Sequence, residues 1–399
     1  LTGEKSFTLP VFALILLSFI LGTSEFVIIG ILPDIAAGID CSIVMIGNLI
    51  SFFAIAYAIG TPLVTACLSQ YNRYYLLIGL TAIFILSNIM CGLAVNYTML
   101  LVSRIIIAIV SGTVLGISMT FPNELVSVRN RPKVISWIFS GFSVAAVFGV
   151  PFGTFLSQMI NWRSTFIFLS VFSFIVLVLL WRSLPNVEAG KKSNLLHQFA
   201  LFKSQRIQLG MVVLVCSFAG TYTMYTYLTP ILQNNLHIPD MYISLVLSLF
   251  GFCTIISNLG SGRLAGIGGI RKLPIVYIVQ GIALFAIPFT VNVASVGLVN
   301  IMILGVTMYL HNASLQIFFL NTASLERPEA FTLASSLNPI SANIGIALGS
   351  AGGSLIVMVA DMPYVGFGGV IFMLIALFVN LKLLHIMADI KKRPHISRS

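Results

Sequence analysis

Twelve apolar stretches, each long enough to cross a lipid bilayer, dominate this chain and leave little between them. They fall at about 8–36, 43–66, 75–95, 98–122, 134–158, 164–183, 207–232, 240–262, 273–292, 296–321, 331–358 and 364–387. A helix needs about 20 mostly apolar residues to cross a hydrocarbon core ~30 Å thick. Only helices and closed barrels satisfy their backbone groups in lipid. These runs are too long and too continuously apolar to be barrel strands. The expected fold class is an all-α membrane protein with 12 transmembrane helices in two parallel-related six-helix halves.

Composition removes the competing classes. Only 8% of the 399 residues are charged and 58% are hydrophobic, against about 25% charged in a soluble globule. Such a chain cannot coat its own surface in water. The net charge of +10 does not imply nucleic acid, because the basic residues are scattered between apolar runs. Cys41, Cys67, Cys91, Cys216 and Cys253 show no metal-ligand or redox spacing, and no metal or cofactor is expected. There is no GxxxxGK[ST] phosphate-binding loop and no catalytic constellation, so the chain is read as a non-enzyme. The first run is long and lacks a small-residue cleavage site, and it reads as a spanning helix rather than a cleaved signal.

Basic residues give an orientation. With the N-terminus inside, the inner segments hold 19 of the 21 Lys and Arg residues, the outer loops hold Arg163, and Arg104 lies within a helix. Positive residues stay on the cytoplasmic side, so both ends are expected there, in a multi-pass protein of the cell (plasma or inner) membrane. The expected organisation is an N-terminal six-helix bundle (1–183), a cytoplasmic connector (184–206) and a C-terminal bundle (207–399). The halves repeat with an offset near 200: Gly60 matches Gly260, Gly149 matches Gly349, and Gly153 matches Gly353. Parallel repeats of this kind are a recurring transporter plan, with sites near mid-membrane.

Local motifs sharpen the picture. The first run carries Leu21-Gly22-Thr23-Ser24-Glu25-Phe26 and then Leu32-Pro33-Asp34, and the fourth carries Ser103-Arg104. The fifth runs from Gly141 to Gly149-Val150-Pro151-Phe152-Gly153, and Asn161-Trp162-Arg163 follows. Taken in order, these resemble the major facilitator superfamily, and within it the twelve-helix drug:proton antiporters, especially arabinose-efflux-like and purine-efflux-like permeases. The chain departs from the pattern between the second and third helices. Gly60-Thr61-Pro62-Leu63 through Asn72-Arg73 lacks the usual acid, and so does the second-half copy from Gly262-Arg263 to Arg271-Lys272.

Few ionisable groups lie inside the apolar runs, and such groups are functional candidates by default. Burial disfavours the charged form of a carboxyl, so Glu25 is the expected proton carrier. Asp34, Arg104 and His311 complete the expected proton-coupling set. Arg104 stays charged and would tune a carboxylate. Counting residues from the helix ends puts it nearer in depth to Asp34 than to Glu25. His311 is expected within the tenth helix. Gly141, Gly149, Pro151 and Gly153 form the close-packing, bending motif of the fifth. The resemblance places helices 1, 4, 7 and 10 around a cavity. Tyr222, Tyr225, Tyr227, Gln316, Asn338 and Asn343 then become the substrate-binding candidates, suited to a flat or amphipathic small molecule.

The resulting expectation is a secondary active transporter for a small molecule (a drug, sugar or purine-like compound), working by proton-coupled efflux and alternating access. Its partners are that substrate, protons and the lipid bilayer, with no nucleic acid, and the chain acts as a monomer. An uncoupled facilitator or importer is the alternative. A membrane-embedded sensor is a further one, though no soluble output domain is visible.

Overall fold

The computed structural model describes residues 7–68, 71–127, 130–186, 199–327 and 331–392. Residues 187–198 of the expected connector lie outside the described residues. Among the described residues there are helices and turns and no β-strand, and 12 helical stretches are long and apolar enough to cross a membrane. Spans 1 to 6 are Leu9–Ile39, Ile43–Thr65, Arg73–Gly92, Tyr97–Ser118, Ser140–Met159 and Trp162–Ser183. Spans 7 to 12 are Gln205–Asn235, Asp240–Gly266, Gly269–Thr290, Ala294–Glu326, Ser336–Val359 and Met362–Ala388. The twelve-helix expectation holds. Large apolar side chains such as Phe174, Ile282 and Phe378 are exposed. That pattern marks an aggregation liability in water and an ordinary lipid-facing surface in a bilayer.

Polar residues between spans start the helices. Asn72, Asn96 and Asn161 each accept a hydrogen bond from a backbone N–H of the first turn, at 3.0 Å from Tyr74, 2.8 Å from Met99 and 2.9 Å from Ser164. These caps satisfy donors that the helix itself cannot. Span 1 ends at Asp40, which adopts the left-handed conformation (φ 56°) common just past a helix end.

The chain divides into two compact units. The first joins the described residues of spans 1 to 6 to Tyr227–Phe252, which covers the C-terminal part of span 7 and the N-terminal part of span 8. The second holds the described residues up to Thr226 of span 7 and those from Cys253 onward.

In the first unit, span 1 is the axis, with 78% of its most apolar window buried. It packs on span 5 through glycines. A Cβ at Gly141 would lie 2.5 Å from the Ile15 carbonyl oxygen, one at Gly149 would collide with the Thr23 side chain, and one at Gly153 with Val27. Pro151 has no N–H, and its ring excludes the carbonyl four residues back. The helix answers with a π-turn at Ala145–Gly149 in which Val150 N–H reaches Ala145 O. Pro33 likewise cannot serve the Ile29 carbonyl. There the hydroxyl of Thr229 donates instead, at 2.8 Å.

In the second unit, span 7 packs closely against span 11 and span 12. A Cβ at Gly345 would meet the Val215 carbonyl and Phe218, and one at Gly349 would meet the Ala219 backbone. Gly60 faces Ile109 of span 4 in the first unit, and Gly260 faces Leu310 of span 10 in the second. Neutral side chains tie the unit together. Gln280 donates to Thr221 at 2.6 Å, Thr226 and Ser350 share a bond of 2.7 Å, and Asn300 donates to the Ala283 carbonyl at 3.0 Å.

Candidate functional site

Span 1 places Glu25 in the interior of the first unit, 9% exposed, with Oε2 buried and without a hydrogen-bond partner. Span 4 brings Arg104, 1% exposed, to the same level. Its guanidinium donates to the carbonyl oxygens of Ser24 at 2.5 Å and Glu25 at 3.1 Å. The same group lies 4.3 Å from the centroid of the Phe53 ring, in cation–π geometry. Ser24 in turn donates from its hydroxyl to Asn88 at 3.0 Å, and Asn88 donates to the Phe84 carbonyl at 2.9 Å. Spans 1, 2, 3 and 4 thus each contribute to the surroundings of one carboxyl.

This corrects the expected partnership of Arg104 with Asp34. Glu25 and Asp34 are nine residues apart, two and a half turns at about 3.6 residues per turn, so they occupy opposite faces of span 1. Asp34 faces span 5 and accepts a hydrogen bond from the Ser157 hydroxyl. Arg104 faces the Glu25 level. Depth counted from helix ends carries no rotation, and it ignores the reach of the arginine side chain.

His311 needs a second correction. Span 10 is not one continuous helix. Helix Ala294–Thr307 stops, four residues turn, and helix Asn312–Glu326 begins with His311 as its N-cap. The break is held by two serines of span 8: Tyr309 N–H donates to Ser257 Oγ at 2.8 Å and Ala313 N–H to Ser261 Oγ at 2.7 Å. Irregular backbone at membrane depth survives only where protein or a polar cavity surrounds it. His311 is fully buried, with the Phe218 ring edge-on at 5.1 Å.

The other candidates fall near this break or apart from it. Asn338 of span 11 donates to Asn312 Oδ1 at 2.8 Å. Tyr222 stacks between Phe218 and Tyr225 at 6.3 and 5.3 Å. Gln316 lies one turn past Asn312 on the same segment and is half-buried. Asn343 donates to the Pro339 carbonyl at 3.1 Å. Tyr227 is buried and belongs to the first unit. The sequence reading missed Asn88, Phe53, Ser157, Phe218, Ser257 and Ser261. All are common residue types on apolar helices, and only tertiary contact singles them out.

Among the described residues, an all-helical fold with twelve candidate membrane spans and rare buried charges defines a multi-pass membrane protein. The particular family follows from sequence likeness: the Major Facilitator Superfamily profile matches residues 14–327, and the chain belongs to that superfamily. It is similar to the MFS-type transporter YtbD of Bacillus subtilis (32% identity, 89% of this chain and 90% of the relative). The inner membrane transport protein YdhP of Escherichia coli shares 30% identity, over 96% of this chain and 97% of the relative. A probable sugar efflux transporter of Helicobacter pylori shares 27%, over 94% and 95%. The fold is also that of a bacterial homologue of the human lysosomal transporter Spinster, with a TM-score of 0.76 at 18% identity over 97% of this chain and 98% of that one. The chain is a major facilitator transporter of small molecules.

Proposed function

We propose that the chain is a proton-coupled efflux antiporter in which Glu25 carries the proton. One observation carries this reading: the Glu25 carboxyl is buried with an unpartnered oxygen, while the neighbouring Arg104 directs its donors to backbone carbonyls. A carboxyl without a fixed ion pair is free to gain and lose a proton. Arg104 remains cationic and supplies a counter-charge when the proton leaves. It also pins the span 1 backbone on which the carboxyl sits. The Asp34–Ser157 contact ties span 1 to span 5, beside the glycine-proline motif of Gly141, Gly149, Pro151 and Gly153. Substrate is recognised by residues of the second unit, Tyr222, Tyr225, Gln316, Asn338 and Asn343. The sugar-efflux name of the Helicobacter relative supports the outward direction. The chain works as a monomer with both ends cytoplasmic.

The test uses purified protein in liposomes under an imposed pH gradient, with lumenal pH followed while pentoses, purines and lipophilic cations are offered. Substrate-dependent proton movement that disappears in Glu25→Gln is expected. Substrate flux with no proton movement in the native protein would make the chain a facilitator and Glu25 a structural residue.

A further inference from the structure

The two units differ in their interiors. The buried polar residues described in the second unit include no Asp, Glu, Lys or Arg, whereas the first unit buries Glu25 and Arg104. Within that neutral interior, hydrogen-bonding atoms gather without partners at the break in span 10. Both ring nitrogens of His311, the Ser314 hydroxyl and the Ser341 hydroxyl are buried and unbonded. Ser314 lies one turn along the helix that His311 caps. Ser341 belongs to the face of span 11 that carries Asn338 and Gly345, because residues three and four apart share a face. Asn338 is bonded to Asn312 beside His311, and Gly345 packs against Phe218, whose ring covers His311. Ser341 lies between Asn338 and Gly345 along that face.

Each unsatisfied buried polar group costs about 1–3 kcal/mol. The break itself is not the reason for leaving them so, since Ser257 and Ser261 already satisfy the backbone N–H groups of Tyr309 and Ala313. We propose that the break in span 10 is a binding site for an uncharged, hydroxyl-bearing ligand, with His311, Ser314 and Ser341 as its hydrogen-bonding groups and the Phe218 ring as its cover. This deepens the reading above, because it names the ligand class for the second-unit residues and moves His311 from proton coupling to recognition. A hydroxyl both donates and accepts, so it matches the N–H and the lone pair of a neutral imidazole and also the serine hydroxyls. An ammonium ion only donates, and it would face the positive end of helix Asn312–Glu326. A carboxylate only accepts and leaves the imidazole lone pair unmatched.

The test measures equilibrium binding to the full chain in lipid nanodiscs without a pH gradient, using radiolabelled L-arabinose and, separately, tetraphenylphosphonium. His311→Leu should weaken arabinose binding about tenfold or more, and His311→Gln, which keeps a donor and an acceptor, should recover most of it. Ser341→Ala should weaken it about threefold, and it serves as the readout if His311→Leu does not yield folded protein. Tetraphenylphosphonium binding should be absent or unaffected by all three. Unchanged arabinose affinity in His311→Leu and Ser341→Ala would overturn the site. A native protein that binds tetraphenylphosphonium and no arabinose would overturn the ligand class. Arabinose binding that depends on His311 in a protein that moves no protons would refute the coupling by Glu25 and leave this site standing.

Discussion

The first and second units bury polar groups of different kinds. The first places a carboxyl and a guanidinium side by side and gives the guanidinium two backbone carbonyls rather than the carboxyl. The second holds hydroxyls, amides and an imidazole, and it breaks a helix among them. A charge in a low-dielectric interior is costly and changes its environment when it gains or loses a proton. Neutral groups cannot supply that response, but they discriminate ligands by which donors and acceptors match. Under the proposed function this difference divides the work: coupling is assigned to the first unit and recognition to the second.

The packing contrast can be broken most directly. Gly149 and Gly349 occupy matching places in the repeat, but a Cβ at Gly149 meets the Thr23 side chain while one at Gly349 meets the Ala219 backbone. The Thr23 hydroxyl can turn away although its Cβ cannot, whereas no atom of the Ala219 backbone can. Gly349→Ala should therefore cost about 3 kcal/mol or more and Gly149→Ala about 1 kcal/mol, read as loss of thermal stability in detergent. Equal losses would show that the two units are packed alike.

Arg104→Lys should come next in size. An ammonium cannot fork across the Ser24 and Glu25 carbonyls, and a loss of about tenfold in pH-driven transport is expected, with insertion retained. Wild-type transport would mean that only the positive charge matters. Ser257→Ala and Ser261→Ala should each remove about 1 kcal/mol of stability, since each leaves a buried backbone N–H in the span 10 break without its acceptor. No loss in either would mean that the break is held by other contacts. The smallest effect concerns orientation. Cys41, between spans 1 and 2, should react with a membrane-impermeant maleimide from outside and Cys67 from inside. Burial and the neighbouring Asp40 raise the Cys41 thiol above its usual range, so less thiolate is present at neutral pH and its labelling should rise as pH increases. The reverse sidedness would invert the topology.

Much of this molecule was legible as sequence. Twelve apolar runs dictate twelve spans because lipid leaves the backbone no alternative. Glu25 and Arg104 stand out because charges inside such runs are rare. The partner of Arg104 was not legible, because residue counts give depth but not the face of span 1 that Glu25 and Asp34 each occupy. The break at His311 was hidden for a different reason. The stretch Met308-Tyr309-Leu310-His311 contains no proline or glycine, and its geometry rests on serine hydroxyls from another helix. Pro33 signals a carbonyl in need of a donor, but that Thr229 supplies it is tertiary information.

The division of labour is tested most directly by comparing two activities of Glu25→Gln in liposomes: accumulation of labelled substrate driven by a pH gradient, and exchange of labelled for unlabelled substrate with no gradient. Loss of gradient-driven accumulation with exchange preserved is the expected result if recognition lies in the second unit, as proposed. Accumulation that survives in the folded variant, or exchange that is lost together with it, would contradict the account.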